Sequence, residues 1–216
     1  MRPEHSETTG LLYPQARIIV FAKPPIAGHC KTRLGKTLGY SRAAAVHQQL
    51  SQQVLDNLQR AAVAPFEIHS ASHPNHPWFH SMRRRYHCPL RRQHGADLGQ
   101  RMLYAARRAL QSAPACLIIG TDCAVLQAEH LGKALKELEQ GQDAVFLPSE
   151  DGGYAMLGLR KHSPLLFRNI AWGSNQVMHQ TRRRLQRSGS RWSELAAVWD
   201  IDEASDYYRA RRLNLI

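Results

Sequence analysis

No stretch of this sequence approaches the roughly 18 to 20 consecutive apolar residues that span a bilayer. The opening MRPEHSETTGLLYPQ has no hydrophobic signal core. No membrane insertion is therefore expected, and residues 1–15 are expected to form a flexible tail ahead of a domain spanning 16–216. Cysteine is scarce: Cys30, Cys88, Cys116 and Cys123 include no CxxC pair, so they are expected as free thiols in a cytoplasmic protein. Acidic residues are few, 17 against 29 Lys and Arg, which leaves a net charge of +12 and points to an anionic partner: nucleotide, nucleic acid or acidic membrane. Aromatic residues make up only 7%. They are not interleaved with the arginine runs at 83–85, 91–92, 107–108 and 182–184 as a stacking platform requires. Those runs are expected as solvated helix faces, and no specific nucleic-acid partner is expected.

What is present fits one globular domain, with 43% apolar residues in 216 and no internal repeat or low-complexity linker. RIIVFA (17–22) is a β-branched run stopped by Lys23-Pro24-Pro25, a buried strand ending in a loop. Ser41 is placed to cap a helix whose Val46, Leu50, Val54 and Leu58 share one face. A second strand is expected over 66–71, then a short helix, a strand and loops within 72–94. A helix after Gly95-Ala96-Asp97 turns Met102, Leu103, Ala106 and Leu110 inward and leads to the central strand ACLIIG at 115–120. A helix over 128–139, a strand over 143–148 and the turn-rich 149–154 follow. Past Gly173 come a helix capped by Ser174, a strand near 196–201 and a last helix from about 204. Alternating strands and helices predict a Rossmann-like α/β fold, a mostly parallel central sheet flanked by helices. Ligands of such sheets lie beyond the carboxyl ends of the strands, where the chemically dense segments 23–33, 121–123 and 150–154 all fall.

FAKPPIAGHCKTRLG (21–35) looks like a phosphate loop, but the P-loop pattern needs glycine directly before the lysine, and Cys30 stands before Lys31. What remains is a stiffened basic loop in which Gly28 admits close backbone approach while Lys23, Lys31 and Arg33 offer donors to a diphosphate. Asp122 follows an apolar strand directly, where a carboxylate needs a cation: a divalent ion on phosphate, or, as the alternative, a role as helix or turn cap. Asp202, in WDIDEASD, is either a second metal carboxylate or the cap of the last helix. In EDGGY (150–154), Gly152 and Gly153 let backbone approach a sugar or phosphate that Asp151 faces, although a plain turn has the same composition. Trp172 is either an aromatic face for an acceptor or a core residue. His73, His76 and His80 share one helical face on paper, but Pro74 and Pro77 break that helix. The His-rich 69–94 is expected as surface.

FAKPPIAGHCKTRL, GADLGQRM, LIIGTDC, PSEDGGYAMLGL, IAWGSNQV and DIDEASD, in this order, resemble a bacterial family of GT-A-type glycosyltransferases, the DUF2064 group, some of them linked to arsenosugar biosynthesis. The resemblance runs from about Arg17 to Leu213, and the family is related to small nucleotidyltransferases that handle molybdopterin and 2-phospholactate. It implies a nucleotide-diphospho-sugar transferase acting on a small-molecule acceptor. Lys31 and Arg33 would meet phosphate or nucleotide, Asp97 and Arg101 the nucleotide side, and Asp122 and Asp202, with Asp200 beside them, would supply carboxylates for Mg²⁺ or Mn²⁺. Asp151, with Glu150 in reserve, would act as base, and Gly152, Gly153, Tyr154 and Trp172 would lie on the acceptor side. The same cleft would suit a nucleotidyltransferase releasing pyrophosphate, or a nucleotide- or RNA-binding protein that has lost catalysis. Two departures stand out: Ala124 replaces the usual proline after GTDC, and EASDY replaces TPEDL.

Overall fold

The computed structural model describes residues 10–216. Of the expected tail, residues 1–9 lie outside the described residues. Leu12 and Tyr13 donate backbone hydrogen bonds to the carbonyls of Ala62 and Val63, at 3.1 and 2.7 Å.

Seven strands, β1 (Arg17–Ala22), β2 (Phe66–Ser70), β3 (Leu90–Arg92), β4 (Cys116–Ile119), β5 (Ala144–Pro148), β6 (Tyr154–Leu159) and β7 (Trp192–Glu194), form one sheet in the order β3-β2-β1-β4-β6-β5-β7. β6 alone runs against its neighbours β4 and β5; the other pairings are parallel. The helices are α1 (Thr32–Leu38), α2 (Tyr40–Ala61), α3 (Pro77–Tyr86), α4 (Leu98–Ala109), α5 (Ala128–Glu139), α6 (Val177–Ser188) and α7 (Ala204–Arg212). This is the mostly parallel, helix-flanked single domain that the sequence predicts.

Because successive side chains of a strand point to opposite faces, β1 sends Ile18, Val20 and Ala22 to one face and Ile19 to the other. β4 likewise divides Leu117 and Ile119 from Cys116 and Ile118. The first face packs on α2, α3 and α5, the second on α4 and α6. A sheet buried on both sides explains why these strands read as continuous apolar runs. A third, smaller cluster joins α1, α2 and α7 through Leu34, Val46, Leu50, Trp199, Tyr207 and Ala210. It holds α1 against the last helix, and so brings two distant parts of the chain together.

Several elements differ from expectation. α2 begins at Tyr40 with Gly39 as its cap residue, so Ser41 lies inside the helix, and a separate short helix, α1, precedes it. The strand expected near 196–201 is displaced to β7; Val198 makes only an isolated bridge to Ser149. β6 is a further strand, returned from β5 by the turn at 149–153. In α3, Pro77 takes the first helical position and the His76 ring accepts from Trp78 N at 3.2 Å, so the expected break between His73 and His80 stands.

Candidate active site

The sheet order changes direction between β1 and β4: from β1 the chain goes on to β2 on one side, and β4 flanks it on the other. This is the switch point at which α/β sheets bind ligands. The β1–β4 pairing extends only to Val20 and Ile119, and beyond it the strands part into a cleft of about 410 Å³ lined by Phe21, Lys23, Leu98, Arg101, Tyr154 and Asp200. A second cavity of about 200 Å³, lined by Cys30, Lys31, Thr32, Arg33 and Asp202, shares Lys23, His47 and Asp122 with the first.

At the junction sits Lys31. Its ammonium is 2.6 Å from Asp122 Oδ1 and 2.9 Å from Asp202 Oδ1, and its side chain is only 2% exposed. Burial alone would push the lysine down, but Asp122 and then Asp202 outweigh it and hold the group at about 12, so it is charged. Burial would likewise raise Asp122; the Lys31 charge, with a contribution from His47, instead holds that carboxyl well below the usual range. Lys31 is reached in the left-handed backbone region, φ 47° and ψ 45°, which costs a non-glycine residue about 1 kcal/mol or more. The double ion pair offsets that strain.

The acids outnumber this cation. Asp200 Oδ1 is buried with no hydrogen-bond partner among the described residues. Burial first, and then Asp122, push its carboxyl up to about 7, with Asp151 and Asp202 adding to the rise and Lys31 opposing it. Asp202 does not cap α7: Glu203 is the cap residue, and Asp206 accepts from the backbone N–H of both Asp202 and Glu203. Asp122 also ties α7 in through its backbone, its carbonyl accepting from Ile201 N at 3.2 Å.

The other expected residues divide between the cleft and its scaffold. Gly28, at φ +78°, lies in the turn between β1 and α1. Arg33 is 63% exposed and 4.0 Å from Glu203. Asp97 accepts from Gln100 N at 2.8 Å and caps α4, while Arg101 reaches the cleft wall and donates to Gly95 O. Glu150 is paired with Arg209 at 2.9 Å. Asp151 Oδ1 accepts from Ser149 Oγ and from Gly153 N, so the carboxylate closes its own turn. Gly152 has φ +87°, and a Cβ there would strike the backbone of Asn175. That contact, with Met178 N donating to Gly152 O at 2.8 Å, pins the turn to the start of α6. Tyr154 lines the cleft. Trp172 packs edge-on behind it and presses on Gly99, where any Cβ would meet the indole ring. Among the described residues no group of three His, Cys, Asp or Glu side chains is arranged to hold a metal ion.

One residue of this site carries no motif. His47 is 3% exposed on the inner face of α2, with Nε2 3.0 Å from the Lys23 carbonyl and Nδ1 3.6 Å from Asp122 Oδ1. The available signal is a polar residue inside the apolar stripe Ala43, Val46, Leu50 and Val54.

The comparisons agree with this architecture. The chain superposes on a protein of Desulfovibrio desulfuricans G20, named a "putative nucleotide-diphospho-sugar transferase", with a TM-score of 0.85 and 29% identity, covering 93% of this chain and 88% of the other. Two more distant structures share the fold. One is CMP:2-keto-3-deoxy-manno-octonic acid synthetase complexed with CTP (TM-score 0.60, 12% identity, 93% and 98% covered). The other is 4-diphosphocytidyl-2C-methyl-D-erythritol synthase of Anaerococcus prevotii DSM 20548 (TM-score 0.60, 10% identity, 94% and 99% covered). No curated protein matches the chain. Residues 54–174 match the family described as an uncharacterized protein conserved in bacteria, and the chain belongs to that family, DUF2064.

Proposed function

We propose that the protein is a metal-assisted glycosyltransferase that moves a sugar from a nucleotide-diphosphate donor to a small-molecule acceptor. The observation that carries this reading is the gathering of Asp122, Asp200 and Asp202 about the single Lys31 ammonium at the switch point of the sheet, three carboxyl groups to one cation. Hard carboxylate oxygens suit Mg²⁺ or Mn²⁺, which need only one or two protein carboxylates when phosphate and water complete the shell. The buried Asp200 Oδ1, without a hydrogen-bond partner among the described residues, supports this reading, because a carboxyl oxygen so placed gains from a further cation beside Lys31. When bound, the ion would neutralise charge developing on the leaving diphosphate.

The chain's own residues supply the rest. Lys23, Arg33 and Arg101 stand around the two cavities and would hold phosphate oxygens and orient the nucleotide. Phe21, Leu98 and Met102 offer apolar surface to the base. Asp151 keeps its turn closed through Oδ1, which leaves Oδ2 to take a proton from an acceptor hydroxyl. Glu150 is the weaker candidate, because Arg209 already holds it.

A second reading is nucleotidyl transfer from an NTP, supported by the fold shared with a synthetase that holds CTP. Incubation with a panel of NDP-sugars and NTPs plus Mn²⁺ separates the two. Glycosyl transfer releases a nucleoside diphosphate, nucleotidyl transfer releases pyrophosphate, and pyrophosphate as the product overturns the first reading.

A further inference from the structure

We infer that His47 is a positioning residue of the transfer site, a rivet between the phosphate loop and the Asp122 carboxylate; the inference rests on the transferase reading above. A buried imidazole is costly unless its nitrogens find partners, and here both look outward from α2 toward the cleft. A backbone carbonyl can only accept, so the nitrogen 3.0 Å from Lys23 O, Nε2, carries a proton. The other nitrogen, Nδ1, has no hydrogen-bond partner among the described residues and lies 3.6 Å from Asp122 Oδ1.

That oxygen is itself buried, while the Asp122 side chain as a whole is 46% exposed. The exposure therefore belongs to the outer part of the carboxylate, and Oδ2 is the oxygen presented to a ligand. Lys31 holds Oδ1 by its ion pair, and the edge of the His47 ring packs against the same oxygen, so that the two together limit the rotation of the group. The same ring bridges a gap in the sheet. Backbone pairing between β1 and β4 ends at Val20 and Ile119, three residues short of Lys23 and of Asp122. Past that point the two strand ends part, and the ring of His47 spans from one to the other. Neighbours that orient a metal-binding group commonly change affinity or activity by about 10- to 100-fold when removed.

The test uses the full chain and Mn²⁺, with free ion followed by electron paramagnetic resonance, alone and with each of UDP, GDP, CDP, ADP and TDP. Nucleotide affinity is measured separately by calorimetry in EDTA. His47→Asn keeps an amide at the distance of Nδ1; His47→Gln keeps one at the distance of Nε2. Circular dichroism and thermal midpoint confirm that each variant is folded. The expected result is Mn²⁺ affinity about ten-fold weaker or worse in His47→Gln, partly restored in His47→Asn, with nucleotide affinity in EDTA within about two-fold of wild type. Folded variants with wild-type Mn²⁺ affinity would overturn the positioning role and leave the transferase reading intact. A wild-type protein that binds none of the five nucleotides, with or without Mn²⁺, removes the transferase reading and this inference together.

Discussion

Two clusters of charge in this protein use carboxylates in opposite ways. One strand in from the edge of the sheet, Glu67 on β2 is enclosed by donors: His69 Nε2 at 2.6 Å and Arg108 at 3.5 Å on one oxygen, and Arg91 Nε at 2.7 Å on the other. Burial alone would raise its carboxyl, but His69 and Arg91 hold it at about 2. At the switch point, Asp122, Asp200 and Asp202 gather around one ammonium, and one of them is pushed up to about 7. A basic protein with twelve surplus positive charges has no shortage of arginine, yet the acids at its switch point share one lysine. The closed knot is complete in the free protein. The open one, on the function proposed above, is completed by a bound cation.

Removing the central acid breaks the comparison most severely. Asp122→Asn should lower donor turnover by about 100-fold or more. Wild-type turnover in a folded variant would make the switch-point acids as purely structural as Glu67. Next comes Lys31→Met, which leaves Asp122 and Asp202 facing each other without their cation. A loss of about 2 kcal/mol, or roughly 4 to 8 °C in thermal midpoint, is expected. Added Mn²⁺ should recover more of the midpoint in this variant than it adds to wild type, because the ion replaces the missing charge. Equal shifts would mean that Mn²⁺ binds elsewhere.

Glu67→Gln is expected to cost about 1 to 2 kcal/mol at pH 7 and to leave turnover unchanged. The folded carboxyl is depressed from its ordinary 4.5 to about 2, so its contribution is present above about pH 4.5 and is lost as pH falls toward 2. Urea midpoints of the pair of proteins between pH 7 and 3 should therefore converge at the acid end. Asp200→Asn has the opposite sign and the smallest size, a gain of about 1 kcal/mol at pH 8 in the ligand-free protein. Its folded carboxyl is raised from 3.8 to about 7, so the wild-type penalty grows as pH rises from about 4 to 7. The advantage of the variant should fade on acidification. An advantage that grows instead would show that Asp200 is satisfied in the fold.

The strands that carry these clusters were legible wherever burial on both faces wrote an unbroken apolar run, as in RIIVFA and ACLIIG. β6 was hidden because YAMLGL follows the EDGGY turn without punctuation, and an antiparallel return needs no intervening helix. α1 was hidden because TRLGKTL has one glycine in seven residues and is held by tertiary packing of Leu34 rather than by helix propensity. Asp122 was visible from its place after β4, and Asp200 and Asp202 from the acid-rich WDIDEASD, although the strand expected near 196–201 is displaced to β7. The partnership of Lys31 with them was not, since it depends on α7 docking beside α1. His47 was silent, as its position in the stripe of α2 matches that of a core residue.

The small cluster of Leu34, Val46, Leu50, Tyr207 and Ala210 also bears on how the site comes into being. Lys31 and Asp202 are 171 residues apart in sequence. The strands of the sheet end at Glu194, and beyond it only Leu195, which donates to Phe146 O, and Val198 still bond to the β5 end. The second acid therefore lies beyond nearly all of the sheet in sequence, and its pairing with Lys31 closes one of the longest loops in the chain. Lys31 can meet Asp122 without the last helix, whereas its pairing with Asp202 needs the segment that leads into α7 to be docked beside α1.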